Sequence, residues 1–171
     1  MTDTLDPGGQ AQCPAHGTGR LIIVCGLPGS GKTTHAQQLE RELRAIRFCP
    51  DEWMPDLGYG LWDGAARGQI EALQWRLAQN LLTLGHTVVI EWGTWGKPER
   101  DTLREGARAL GAAVELHFLD APLDVLLDRI RRRNAESPPV TPADLARWDS
   151  QFQRPTPEEM ALFDAVRSIL P

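Results

Sequence analysis

The sequence predicts a doubly wound α/β domain on a parallel sheet of four to five strands, and three observations carry that reading. Short runs of apolar, β-branched residues recur at 20–25, 46–49, 87–91 and 113–119, separated by segments with helical periodicity, the alternation that builds parallel sheets. The first run feeds directly into a glycine-rich turn, Gly26-Leu27-Pro28-Gly29-Ser30-Gly31-Lys32-Thr33. The second and third runs end on acids, Asp51 and Glu91, at the carboxyl ends of strands where open α/β sheets place their ligands.

In chain order, residues 1–19 are polar and rich in Gly, Pro and Gln, and are expected to form a disordered leader ahead of one domain over 20–171. Run 20–25 is nearly all apolar, as in a central strand buried on both faces. A helix follows, with Ala36, Leu39, Leu43 and Ile46 as its stripe. Residues 53–68 carry Trp53, Met54, Leu57, Tyr59, Leu61 and Trp62 without periodicity, which reads as an aromatic loop or lid. The next helix, 68–84, has the stripe Ile70, Leu73, Leu77, Leu81 and Leu84 and stops at Gly85. After the third strand comes a loop holding Trp92 and Trp95, and Pro98 opens a helix over 99–110. A fourth strand at 113–119 precedes a helix at 123–134 whose Arg129 and Arg133 share one face. Shorter helices are expected within 141–153 and 155–163, and the end of the chain reads as an edge strand.

The chain has 171 residues and a formal charge of −5. That length suits one core, and the charge argues against a dedicated nucleic-acid binder, which would show a basic surface. The local cluster Arg129, Arg131, Arg132 and Arg133 is the exception. No apolar run approaches the ~18 residues a membrane span needs, and the amino-terminal stretch lacks the features of a secretory signal. Three cysteines, with Cys25 and Cys49 in or beside apolar runs, fit reduced thiols in a cytoplasm. Cys13 and His16 have metal-like spacing but no second pair beside them.

The glycine turn satisfies G-x-x-x-x-G-K-[ST] between a strand and a helix, the P-loop context. Its glycines let backbone N–H groups approach phosphate oxygens, and the helix that opens there adds its positive end. Residues 26–34, Thr34 included, are therefore assigned to a nucleotide, with Lys32 reaching the β- and γ-phosphates and Thr33 placing a hydroxyl on Mg²⁺. Glu91 is read either as an acid acting on Mg²⁺ or the acceptor, or as a buried partner of Lys97 or Arg100. Trp53, Trp62, Trp92 and Trp95 fall in loops at the same edge and are expected to form a pocket for a flat or apolar hydroxylated molecule. Trp75 and Trp148 read as packing residues.

Together, the turn at 26–33, Cys49-Pro50-Asp51-Glu52, Val88-Val89-Ile90-Glu91 with Pro98-Glu99-Arg100 beyond it, Asp120-Ala121-Pro122 and the segment 129–134 resemble the small P-loop kinases grouped as AAA_33-type "predicted kinases". Relatives of that group include phage-type polynucleotide 5′-hydroxyl kinase, zeta toxin and chloramphenicol phosphotransferase. The resemblance spans 20–165 and implies a P-loop NTPase fold with a helical lid, using ATP and Mg²⁺. It implies that Asp51 is the general base for an acceptor hydroxyl, and that Arg129 and Arg133 are lid arginines over the triphosphate, with Arg131 or Arg132 able to substitute. The expected function is transfer of the γ-phosphoryl of ATP to a hydroxyl of a small organic molecule. Two alternatives stand beside it: a polynucleotide 5′-hydroxyl kinase, and a P-loop ATPase or switch that phosphorylates nothing.

Overall fold

The computed structural model describes residues 18–133 and 139–169. The expected leader lies almost wholly outside the described residues, as do Cys13 and His16. Five strands form one sheet: β1 (Arg20–Cys25), β2 (Ile46–Phe48), β3 (Thr87–Gly93), β4 (Ala113–Leu119) and β5 (Ala165–Ile169). Their order is β2-β3-β1-β4-β5, and every pairing is parallel. Between them run α1 (Lys32–Leu43), α2 (Pro50–Asp56), α3 (Gly64–Thr83), α4 (Lys97–Ala109), α5 (Leu123–Arg133), α6 (Pro142–Gln151) and α7 (Pro157–Met160).

Alternation along the strands divides the core into two layers. Ile22, Val24, Val89 and Leu119 face α1 through Ala36 and Leu39. Leu21, Ile23, Val88, Ile90, Leu116 and Phe118 face the other way and join Ala78 and Leu82 of α3, Leu103 and Ala107 of α4, Leu126 and Ile130 of α5 and Leu145 of α6. With both faces covered, β1 is fully buried from Leu21 to Cys25, so an apolar run without alternation is the pattern that position demands. Burial also pushes the Cys25 and Cys49 thiols up to about 12, which makes them inert hydrophobes rather than nucleophiles.

Two local expectations are corrected. The stretch read as an aromatic loop contains α2: Pro50 occupies its first turn and Asp51 and Glu52 follow in that turn, an arrangement that suits a helix start by proline geometry and dipole alike. On α3 the buried positions are Ala66, Ile70, Gln74, Ala78 and Leu82, whereas Leu73, Leu77 and Leu84 are exposed. Ala66 and Ile70 of that face pack beside Met54 and Trp53 of α2, while Ala78 and Leu82 join the main core. A Cβ on Gly106 of α4 would stand 2.7 Å from Cζ2 of Trp75, so the indole is accommodated only because residue 106 is glycine.

The chain leaves β1 toward β2 on one side and leaves β4 toward β5 on the other. Their loops diverge above the gap between these two neighbours, which is where open sheets bind ligands. The glycine turn closes over that gap. Gly26 has φ +149, and a Cβ there would lie 2.3 Å from the Leu119 carbonyl oxygen at the end of β4. Gly26→Ala is therefore expected to cost about 1–3 kcal/mol, seen as a drop of about 2–4 °C in Tm per kcal/mol for a chain of this size. An unchanged Tm would mean that the turn does not need its close approach to β4.

Candidate active site

The turn at 26–33 is shaped as a receptor for anionic oxygen. Gly29 and Gly31 have φ of +82 and +97, and α1 starts after Gly31 with no side-chain cap and no acid in its first turn. Those first N–H groups keep their hydrogen-bonding capacity and the positive end of the helix. Lys32 folds back and donates to the Leu27 carbonyl at 2.9 Å. Burial pulls the pKa of its ammonium down, with the carboxylates of Glu91 and Asp51 acting in the opposite direction. Ser30 Oγ is buried without a hydrogen-bond partner among the described residues. A cradle that a Cβ would fill, an uncapped helix start and an orphaned hydroxyl all fit a bound phosphate chain.

Glu91 sits one strand away, 6% exposed. It accepts a hydrogen bond from the Thr33 hydroxyl and another from Arg47 Nη1 at 3.0 Å. Burial raises the pKa of its carboxyl, and the Thr33 hydroxyl and the Arg47 guanidinium both hold it down. Neither Lys97 nor Arg100 is its partner: Lys97 pairs with Asp101 and Arg100 with Glu159. Glu91 and Thr33 thus form a hydroxyl and carboxylate pair at the phosphate turn, a hard-oxygen set of the kind that holds Mg²⁺ directly or through water. Arg47, which sequence reasoning missed, also reaches Glu40 at 3.1 Å and Glu52 at 2.6 Å. It ties β2, α1, α2 and β3 together beneath the site.

Beside the turn opens a cavity of about 710 Å³. Pro28, Lys32 and Arg133 line its phosphate end, Asp51, Arg67 and Glu71 one side, and Trp62, Trp75, Trp92, Trp95 and Trp148 much of the remaining wall. Asp51 is held on the first turn of α2 with its side chain 61% exposed. Its carboxylate accepts a hydrogen bond from Arg67, and Arg67 in turn lies 3.6 Å from Glu71 one turn along α3. Trp62 stacks on Trp148 with ring centroids 6.3 Å apart, and Trp95 meets Trp148 at 6.2 Å. Trp92 is fixed by donating its indole N–H to Gln74 Oε1 at 2.8 Å.

Of the sequence-predicted site, the structure brings together Pro28, Lys32, Asp51, Trp62, Trp92, Trp95 and Arg133 on one cavity, with Glu91 and Thr33 behind the turn. Trp53 is outside that wall: it packs edge-on against Phe48 with ring centroids 6.0 Å apart and beside Met54, Ala66 and Ile70. Arg129 lies four residues before Arg133 on α5, exposed and not among the residues that line the cavity. Thr34 is exposed on the first turn of α1. Trp75 and Trp148, read as packing residues, also line the cavity. Arg67 was missed altogether, although its spacing of four from Glu71 on a helix was the available signal.

A parallel sheet of this order carrying that glycine turn at the end of β1 is a P-loop fold of the kind seen in small kinases. The chain belongs to the AAA_33 family, described as an AAA domain, whose match covers residues 21–157. It is similar to a candidate kinase from Chloroflexus aurantiacus, with 25% identity and a TM-score of 0.69 over 90% of this chain and 86% of that one. The APS kinase of Mycobacterium tuberculosis, solved with AMPPNP and APS, shares the fold at a TM-score of 0.64 and 22% identity, covering 89% of each chain. An uncharacterized protein of M. tuberculosis is 31% identical over 159 residues, which take in 79% of this chain and 31% of that protein. The chain therefore spans about a third of the length of the curated relatives it matches. No helix among the described residues is long and apolar enough to cross a membrane.

Proposed function

We propose that the protein is an ATP-dependent phosphotransferase that moves the γ-phosphoryl group of ATP to a hydroxyl of a small organic acceptor. The observation that carries this reading is one cavity bounded at one end by Lys32 of the phosphate turn and along its side by Asp51, with an indole wall facing the space between. A motor or switch needs the phosphate turn but no lined chamber beside it. A chamber of this volume lies in the range of small-molecule sites, about 300–1,000 Å³.

In the proposed reaction, the backbone N–H groups of 26–34 and the Lys32 ammonium hold the β- and γ-phosphates. Thr33 and Glu91 are the residues that would hold Mg²⁺, which when bound would supply charge neutralisation for the transferred group. The acceptor oxygen bonds to the γ-phosphorus as the bond from that phosphorus to the bridging oxygen breaks, and ADP leaves with the electron pair. The hydroxyl proton passes to the Asp51 carboxylate. Arg67 orients that carboxylate, and Arg133 faces the phosphate end from α5, with Arg129 available one turn earlier on the same helix. The tryptophans of the wall exclude water and hold the acceptor by its apolar surface.

Transfer of label from γ-labelled ATP to a panel of small alcohols, read together with ADP release, tests this reading. Acceptor-dependent ADP release supports it, and ATP hydrolysis indifferent to every acceptor would place the protein with accessory ATPases. Lys32→Ala is expected to weaken nucleotide affinity by about tenfold to a hundredfold, the worth of a charged hydrogen bond at ~1.5–3 kcal/mol, and to lower turnover as well. Isothermal titration with ADP and Mg²⁺ checks the first part. Unchanged affinity and turnover would remove the phosphate turn from the mechanism.

A further inference from the structure

The acceptor end of the cavity has a charge of its own. Asp51, Glu71 and Glu99 all line it, and the cation among them is Arg67, while Lys32 and Arg133 stand at the phosphate end. Arg67 reaches Asp51 and Glu71, so two carboxylates share that guanidinium and Glu99 stands beside them as a third acid on the same wall. They also feel one another: the pKa of the Glu71 carboxyl is raised, mainly by burial and further by the charges of Glu99 and Asp51, with Arg67 opposing. Glu99 spends one oxygen on a long bond from the Gly96 N–H, at 3.4 Å, at the start of α4.

A second, independent feature points to a ligand at the same place. Thr94 lines the cavity and is 3% exposed, yet its hydroxyl oxygen is buried with no hydrogen-bond partner among the described residues. Its backbone is at φ +44, a conformation that costs a β-branched residue energy and is retained at ligand sites more than elsewhere. Its carbonyl and that of Trp95 are clamped by Arg100, so the strained turn is held in place. A buried hydroxyl left without a partner is a vacancy for a hydrogen-bonding group on whatever fills the cavity.

Resting on the phosphotransferase reading above, we infer that the acceptor is a cationic amino alcohol: a molecule with an apolar or aromatic body against the tryptophan wall and an ammonium group seated by Glu71, Glu99 and the Thr94 hydroxyl. The chemistry matches part by part. An ammonium brings donors and no acceptor, which suits two carboxylates and an orphaned hydroxyl oxygen. Indole faces add attraction for a cation within about 6 Å of the ring. A carboxylate or phosphate on the acceptor would meet an excess of negative charge at this end, and a neutral molecule would bring no counter-charge to Glu99 or to the half-shared Glu71. The charge division thus separates the two substrates, with anionic phosphates drawn to the Lys32 end and the cationic group to the Glu71 end.

Three matched alcohols that share a phenyl ring and a hydroxymethyl group isolate the charge: 2-phenylglycinol carries an ammonium, 2-phenyl-1-propanol a methyl, and tropate a carboxylate. Binding is read at neutral pH by tryptophan emission in the presence of ADP and Mg²⁺, and transfer by ADP release from ATP. 2-Phenylglycinol is expected to bind about tenfold or more tightly than the methyl compound, the scale of a desolvated cation–π contact with a carboxylate behind it, and tropate least. Glu71→Gln and Glu99→Gln are expected to remove that preference by lowering affinity for 2-phenylglycinol far more than affinity for the methyl compound, a selective loss that a general loss of structure would not produce. Equal binding of the three, or tighter binding of tropate, overturns the inference. Preferential binding of 2-phenylglycinol with no ADP release from any of the three upholds the cation site and counts instead against the transfer reading.

Discussion

Asp51→Asn is expected to lower phosphoryl transfer by about 10²–10⁴, the contribution of a positioned general base, with nucleotide affinity preserved. The amide keeps the shape of the carboxylate but accepts no proton at neutral pH, so the acceptor oxygen must attack with its proton still attached. Asp51 is well placed to be separated from stability. Its side chain is 61% exposed, and its contact is an ion pair with Arg67 of the exposed kind that contributes about 0–1 kcal/mol. Tm should therefore stay within a few degrees of the parent while the rate falls. The loss should appear in kcat with little change in the Kd for ADP, because the phosphate turn and Lys32 are built from separate elements. Full activity in this variant would remove Asp51 from the chemistry and leave it as a partner of Arg67 at the cavity mouth. A parallel loss in Arg67→Met, smaller than that of Asp51→Asn, is the signature of a residue that acts by orienting the carboxylate.

The parts of this site legible in the sequence are those set by local rules. The glycine turn needs positive φ at three glycines within six residues, and a strand must precede it. Asp51 and Glu91 follow from where strands end, because β-α alternation places every carboxyl end along one edge. Arg47, Trp75 and Trp148 were not legible for a common reason: each acquires its role from a partner far along the chain. Arg47 meets Glu91 across 44 residues, and Trp148 meets Trp62 only when α6 closes over the segment between α2 and α3. Trp53 failed in the opposite direction. Loop composition suggested a ligand wall, but α2 forms there, and a helical turn rotates the indole from the cavity onto Phe48. The leucine stripe of α3 found Ile70 but misplaced the rest, because periodicity follows leucines whereas the buried face runs through Ala66, Gln74, Ala78 and Leu82.

Arg100→Met is expected to cost about 3–5 kcal/mol, the price of breaking a buried ion pair by removing one partner, out of a total stability of about 5–15 kcal/mol. Arg100 is fully buried, and its guanidinium makes five bonds: two to Glu159 at 2.6 and 3.0 Å, and one each to the carbonyls of Thr94 at 2.9 Å, Trp95 at 3.3 Å and Gln153 at 2.8 Å. Methionine fills similar space but leaves a buried Glu159 carboxylate with no counter-charge and three carbonyls short of a donor. Tm should fall by roughly 6–20 °C at about 2–4 °C per kcal/mol. The double variant Arg100→Met with Glu159→Met should recover much of that loss, because two apolar side chains leave no stranded charge. Recovery of stability without recovery of acceptor binding is the informative outcome. Arg100 is also what fixes the Thr94–Trp95 turn at the cavity wall, and that task passes to no residue in the double variant. If both variants kept the parent Tm, the guanidinium would be dispensable to the fold, and the strained Thr94 backbone would need another source of support.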